Sequence, residues 1–167
     1  MPTVTSPEQL FEHELQDMYY AEKTLTKVLP KLASEASDAE LSRAFTSHQK
    51  ETEKHVRNLE QVFTKTGKRA EATPCPGIEG IKKEHDDFVA KESPSQDILD
   101  AFLTGAGART EHYEIAAYEG LITMAQAMGE DDVARLLKEN LAQEKKALES
   151  LKMISERLAA TGAKSTA

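Results

Sequence analysis

The sequence predicts an all-α protein, a four-helix bundle with one long crossover that contains a short extra helix. Apolar residues recur at three- and four-residue spacing through four long stretches, the pattern of helices that bury one face. Aromatic residues are only 5% of the 167 positions, and no sustained alternation of β-branched or aromatic residues marks a strand. The two pairs of helical stretches are separated by about 27 residues of weaker periodicity, enough to carry the chain back along a bundle.

The bundle is expected over residues 6–160, with 1–5 as a loose arm and 161–167 as a tail. Ser6, Pro7 and Gln9 supply an N-cap, a first-turn proline and a capping-box partner, so the first helix begins there. Its stripe is Phe11, Leu15, Met18, Leu25, Leu29 and Leu32, and Glu22 stands where the series calls for an apolar residue. Pro30 removes one backbone donor and is expected to kink the helix near its end. The second helix runs from about Ala39 to Thr66, with Leu41, Phe45, Leu59, Val62 and Phe63 in its stripe and Gly67 as its stop. Its middle is polar: His48, Glu51, Thr52 and His55.

Lys68 to Pro94 forms the crossover, where Pro74 to Gly77 break the backbone and Ile78, Ile81, Phe88 and Val89 mark a short amphipathic helix. The third long helix opens at Ser95 and closes at Gly129, carrying Leu99, Leu103, Tyr118 and Leu121. Its small residues Gly105 to Ala108 admit a close neighbour. The fourth runs from about Asp131 to Ala160 with Val133, Leu137, Leu151 and Ile154 in its stripe, and Asn140 and Glu144 fill two apolar places.

Composition excludes several function classes. Lys and Arg number 21 against 29 Asp and Glu, and the resulting charge of -8 repels phosphate backbones. No Lys-rich terminal arm offsets it, so nucleic acid is not expected as a partner. No apolar run approaches the roughly 20 residues of a membrane-spanning helix, and no basic start followed by an apolar run marks a signal peptide. The cytoplasm is the expected compartment. The single cysteine, Cys75, cannot form an internal disulfide and is read as inert.

The chemistry lies in the seam. Each of the four long helices places a glutamate at mid-helix on or beside its buried stripe: Glu22, Glu51, Glu114 and Glu144. Glu111 precedes Glu114 by three residues, and His48 and His55 flank Glu51 at minus three and plus four, so these groups share or border one face. A single seam acid often only sets register. Several buried acids facing one another require compensating positive charge, which a pair of divalent cations supplies. Carboxylates with a few imidazoles suit iron first and manganese second, while zinc structural sites favour thiolates. His48 and His55 lie about 10.5 Å apart along an ideal helix and so cannot easily serve one metal. His13, His85 and His112 are read as surface groups or groups behind the ligands, and the tyrosines other than Tyr118 as core.

The segments Tyr20-Ala21-Glu22-Lys23, His48-x-x-Glu51-Thr52, Cys75-x-Gly77-Ile78-x-Gly80-Ile81, Glu111-His112-Tyr113-Glu114-Ile115-Ala116-Ala117-Tyr118 and Glu144-Lys145 resemble the YciE/YciF family of ferritin-like proteins. The resemblance covers roughly residues 6 to 158. It implies a non-cage, stress-associated di-iron bundle with ferroxidase activity and a small assembly, taken as a homodimer. The Glu-x-x-His pattern usual in ferritin-like di-iron sites is absent, since Lys54 and Ala147 stand where histidines belong.

The expected function is a di-iron oxidoreductase that oxidises Fe(II) with dioxygen or hydrogen peroxide. Glu51 with Glu144 or Glu114 would bridge, Glu22 and Glu111 would be terminal, and His48 or His55 would complete the set. Glu51, Glu114 and Tyr118 are the candidate catalytic residues. Two rivals belong to other classes: a histidine phosphotransfer domain using His48 or His55, and a metal-free stress-associated bundle.

Overall fold

Burying one stripe on each of four long helices dictates how the chain packs. The computed structural model describes residues 3–165, with side chains through residue 161. It contains α1 (Pro7–Glu35), α2 (Ala39–Lys65), α3 (Pro76–Glu92), α4 (Gln96–Ala127) and α5 (Asp131–Ser165), and no strand occurs among the described residues. The four long helices, α1, α2, α4 and α5, form a ferritin-like bundle.

Local chemistry sets the helix ends. Ser6 accepts from the Gln9 backbone N–H while the Gln9 side chain accepts from the Ser6 backbone N–H, a reciprocal cap with Pro7 in the first turn. α1 continues past Pro30 to Glu35, so this exposed proline does not end the helix. Gly67 and Gly129 hold φ of 69° and 76°, the left-handed geometry in which a helix commonly stops. After them, the Lys68 N–H reaches the Phe63 carbonyl at 2.8 Å and the Glu130 N–H reaches the Ala125 carbonyl at 2.9 Å. α5 runs on to Ser165, beyond the expected end at 160, so part of the expected tail is helical. Residues 1–2 of the expected arm and 166–167 of the tail lie outside the described residues.

α1 and α2 form one antiparallel hairpin and α4 and α5 another. The hairpins meet through α2 against α5 and α1 against α4. Cross-helix bonds fix the directions: Asp17 meets Tyr113 and Ser37 meets Asp100, while Lys65 meets Asp132 and Arg157 meets Glu40. Each helix is therefore antiparallel to both neighbours. α2 and α4 run parallel, which is why a long crossover must return the chain between them. That crossover carries α3 across α1 and α4, held by Tyr20–Glu79, Lys31–Asp86 and stacked Phe88–Phe102. Asp100 ties the α1–α2 turn to α4 by accepting from the Ser37 N–H at 2.9 Å, the Ser37 hydroxyl at 2.6 Å and the Asp38 N–H at 2.9 Å.

The apolar core is divided in two. Phe11, Leu15, Leu59, Phe63, Leu121 and Leu137 belong to one cluster. Leu25, Leu29, Phe45, Leu103, Leu151 and Ile154 belong to the other. The acids and histidines of the seam occupy the layer between them.

Candidate metal centre

Helical spacing delivers the polar layer. On α4, Glu111, Glu114 and Tyr118 follow at three and four residues. On α2, His48, Thr52 and His55 do the same, and on α5 Asn140 and Glu144 lie one turn apart. α1 contributes Glu22 alone. Glu22, His55, Glu114, Tyr118 and Glu144 are all 0% exposed, and Glu111 and His48 are 2% and 5% exposed.

Two groups of donors form inside this layer. One nitrogen or oxygen from each of His48, Glu111, Glu114 and Glu144 lies within 4.8 Å of the others, and the same holds for Glu22, His55 and Glu144. Glu144 belongs to both. His48 Nε2 is 3.3 Å from Glu111 Oε1 and 3.4 Å from Glu144 Oε2. His55 Nδ1 is 3.2 Å from Glu22 Oε1 and 2.8 Å from Glu144 Oε1.

These converging atoms lack well-directed hydrogen bonds. Among the described residues, Glu22 Oε2, Glu111 Oε2, both oxygens of Glu114 and Glu144, His48 Nε2 and His55 Nδ1 are buried with no hydrogen-bond partner, as is Thr52 Oγ1. Nearly all buried polar atoms in folded proteins find a partner, and the orphans concentrated at this point are donors that could hold a metal ion. Oxygen and imidazole donors fit a divalent cation there.

The outward faces of the same side chains are anchored. His55 Nε2–H donates to Gln143 Oε1 at 2.7 Å, which leaves Nδ1 as the ring atom facing Glu22 and Glu144. His48 Nδ1 lies 3.5 Å from Glu51 Oε2, which turns Nε2 inward. The Tyr118 hydroxyl donates to Glu22 Oε1 and accepts from Asn140 Nδ2 at 3.0 Å, and Asn58 donates to Asn140 Oδ1 at 2.7 Å. A ladder from α2 through α5 and α4 thereby fixes the α1 carboxylate.

Electrostatics follow from burial. Desolvation, followed by the neighbouring carboxylates, pushes Glu111 and Glu114 well above the usual carboxylate range. Glu22 is raised by burial despite the opposing pull of His55. Burial works against a charged His55, yet Glu22 and Glu144 outweigh it and hold the imidazole near about 10. Glu144 moves the other way, its burial overcome by His55 and His48. Proton binding by His55 thus favours partial neutralisation of the layer without metal. Burial likewise raises Tyr118 well above its ordinary value, so its hydroxyl keeps its proton.

Glu22, His48, His55, Glu111, Glu114 and Glu144 are brought together. Both histidines line the centre, one in each group, where the sequence left the choice between them open. Glu51 does not join either group: its side chain is 27% exposed, and it lies on the rim with Ser47, Lys146 and Ser150, around a pocket that reaches His48 and Glu111. His13 and His112 are exposed. His85 is not a surface group; it is buried, with Nε2 2.7 Å from Glu35 and Nδ1 3.1 Å from Asp86, and joins α3 to the end of α1. Cys75 caps α3 and contacts the Tyr113 hydroxyl at 2.9 Å, and burial raises its thiol. Sequence reading missed Asn58 and Gln143. Asn58 follows His55 by three residues on one face and was findable, whereas half-buried Gln143 carries no such signal.

Four antiparallel helices, one crossover and a buried layer of carboxylates and imidazoles define a ferritin-like bundle with a candidate metal centre. The chain belongs to the family described as Domain of unknown function (DUF892), which it matches over residues 6–164. It is 38% identical over 139 residues to protein YciF of Escherichia coli, covering 83% of each chain. The crystal structure of the E. coli stress protein YciF superposes with a TM-score of 0.89 at 34% identity, covering 94% of this chain and 99% of that one. YcfI of Rhodopseudomonas palustris matches with a TM-score of 0.87 at 41% identity, over 89% of this chain and 94% of the other.

Proposed function

We propose that the chain holds two iron ions, with manganese as the alternative, and acts as a ferroxidase that consumes dioxygen or hydrogen peroxide in a stress response. The observation that carries this reading is the cluster of buried, unpartnered carboxylate and imidazole atoms between the two halves of the core. A stress role is supported by the likeness to the E. coli stress protein YciF.

In this reading Glu22 and His55 hold one ion, His48, Glu111 and Glu114 hold the other, and Glu144 is shared. Paired iron supplies two electrons to an oxidant, one from each ion. The chain's own residues do the rest. Gln143 and Glu51 fix the histidine rings, and metal binding displaces the His55 proton into solvent. Tyr118 holds a proton at Glu22 Oε1. The rim at Glu51, where a half-buried carboxylate adjoins His48, is the polar approach for cations. Ferrous iron and the oxidant are the expected partners, and we take the assembly to be a homodimer.

Phosphotransfer is disfavoured because His55 is 0% and His48 5% exposed, out of reach of a partner domain. The test is anaerobic ferrous titration followed by oxygen, read as near-ultraviolet ferric absorption, in wild type and Glu144→Gln. Two ferrous ions per chain, lost in the variant, is the expected result; no saturable uptake, or uptake unchanged by Glu144→Gln, refutes it.

A further inference from the structure

A second opening reaches the centre, and its chemistry differs from that of the polar rim. Between α1, α2, α3 and α4 lies a cavity of about 60 Å³ whose walls include Leu25, Leu29, Ile78, Ala106 and Phe45, and whose lining also includes His48 and Glu111. A single water takes roughly 10–15 Å³ of such space, so the cavity admits only a few water-sized guests. The atoms that face it are mostly aliphatic and aromatic carbon, with Thr24, Lys82, His85 and Thr110 also in the lining, and apolar space of this kind takes up small apolar guests such as xenon. The half-exposed Lys31–Asp86 pair, at 2.9 Å, spans the outer rim from α1 to α3, and Lys82 in the same lining pairs with Glu79 at 3.2 Å, so both lysines there are already matched by carboxylates.

We infer that this cavity binds dioxygen and delivers it to the His48 and Glu111 side of the centre, while cations enter by the Glu51 rim. The two lining sets share Phe45, His48 and Glu111, so the routes converge on the same donor group from different faces of the bundle. A small apolar diatomic is favoured by the apolar walls, whereas water, peroxide and metal ions give up hydration along them for few compensating bonds. The division assigns dioxygen to the apolar route and leaves peroxide to the polar one. The purpose of the cavity rests on the proposed ferroxidase reading; its occupancy by dioxygen does not.

Dioxygen is paramagnetic, which allows a test on the metal-free full chain. Under elevated oxygen pressure, methyl groups of Leu25, Leu29 and Ile78 are expected to relax several-fold faster than those of Leu59 and Leu137 in the opposite cluster. Ala106→Leu, which fills the cavity, abolishes the difference, and Leu29→Ala, which enlarges it, increases it. Uniform relaxation across both clusters, or a difference that neither variant changes, overturns the gas site. In iron-loaded protein, Ala106→Leu slows oxidation by dioxygen several-fold and leaves oxidation by hydrogen peroxide unchanged. Equal rates with dioxygen in variant and wild type overturn delivery. A chain that takes up no iron yet shows localised relaxation removes the ferroxidase reading and leaves the gas site standing.

Discussion

Replacing Glu114 by leucine should stabilise the metal-free protein while destroying its response to metal. Both Glu114 oxygens are buried without partners, and the side chain is 0% exposed. Burial and the neighbouring acids Glu144, Glu22 and Glu111 keep its carboxyl protonated far above the usual range. An unsatisfied buried polar group costs about 1–3 kcal/mol, and leucine removes it at similar volume. For a chain of this size each kcal/mol moves Tm by about 2–4 °C, so the metal-free variant should melt roughly 2–12 °C above wild type. Metal reverses the order: at a hundredfold excess over Kd, a ligand that binds only the folded state adds about 2.7 kcal/mol. Wild type gains this and Glu114→Leu gains little. Circular dichroism melts with chelator and with manganous or anaerobic ferrous ion read both halves. A metal-free Glu114→Leu protein that melts below wild type refutes the premise that this acid is stored at a cost for metal.

The remaining predictions concern pH, an anchoring bond and a packing contact. In metal-free protein Glu22, Glu111, Glu114 and His55 all bind protons more tightly folded than unfolded, so stability is fullest below the ordinary carboxylate range and falls as pH rises through their raised values. Glu144 opposes this at the acid end, since its lowered value means stability lost as pH falls. Urea midpoints measured at increasing pH should decline with chelator present and flatten with metal bound. Gln143→Leu removes the acceptor for His55 Nε2–H and should weaken metal binding by about 10–100-fold, measured by competition with a chromophoric chelator. At Gly77 an added Cβ would lie 2.6 Å from Tyr113 Cε2, so Gly77→Ala should cost about 1–3 kcal/mol in denaturant unfolding.

The fold was legible because its signals are local. The Ser6–Gln9 cap, the stops at Gly67 and Gly129 and the four apolar stripes each depend on a few neighbouring residues. The acids of the centre were legible for a related reason: Glu22 and Glu144 interrupt apolar series, and a helix face that is buried above and below a residue buries that residue too. Which polar residue of α2 points inward is not a local matter. At 100° per residue Glu51 and Thr52 lie on opposite sides of His48 by about 60° and 40°, and the roll of α2 against α5 decides which of them is buried. Thr52 is buried and Glu51 meets the rim. The same roll lets His48 and His55 each serve a different donor group, with Glu144 between them. α3 gave weak periodicity because, lying on the outside of the bundle, it buries only Ile78 and His85.

The most direct measurement is anomalous diffraction at the iron or manganese edge from crystals grown with that metal. Two peaks per chain are predicted between α1, α2, α4 and α5, one beside His55 and Glu22, the other beside His48, Glu111 and Glu114, with Glu144 touching both. Peaks confined to the outer faces of the helices, or an empty interior at saturating metal, would contradict the account.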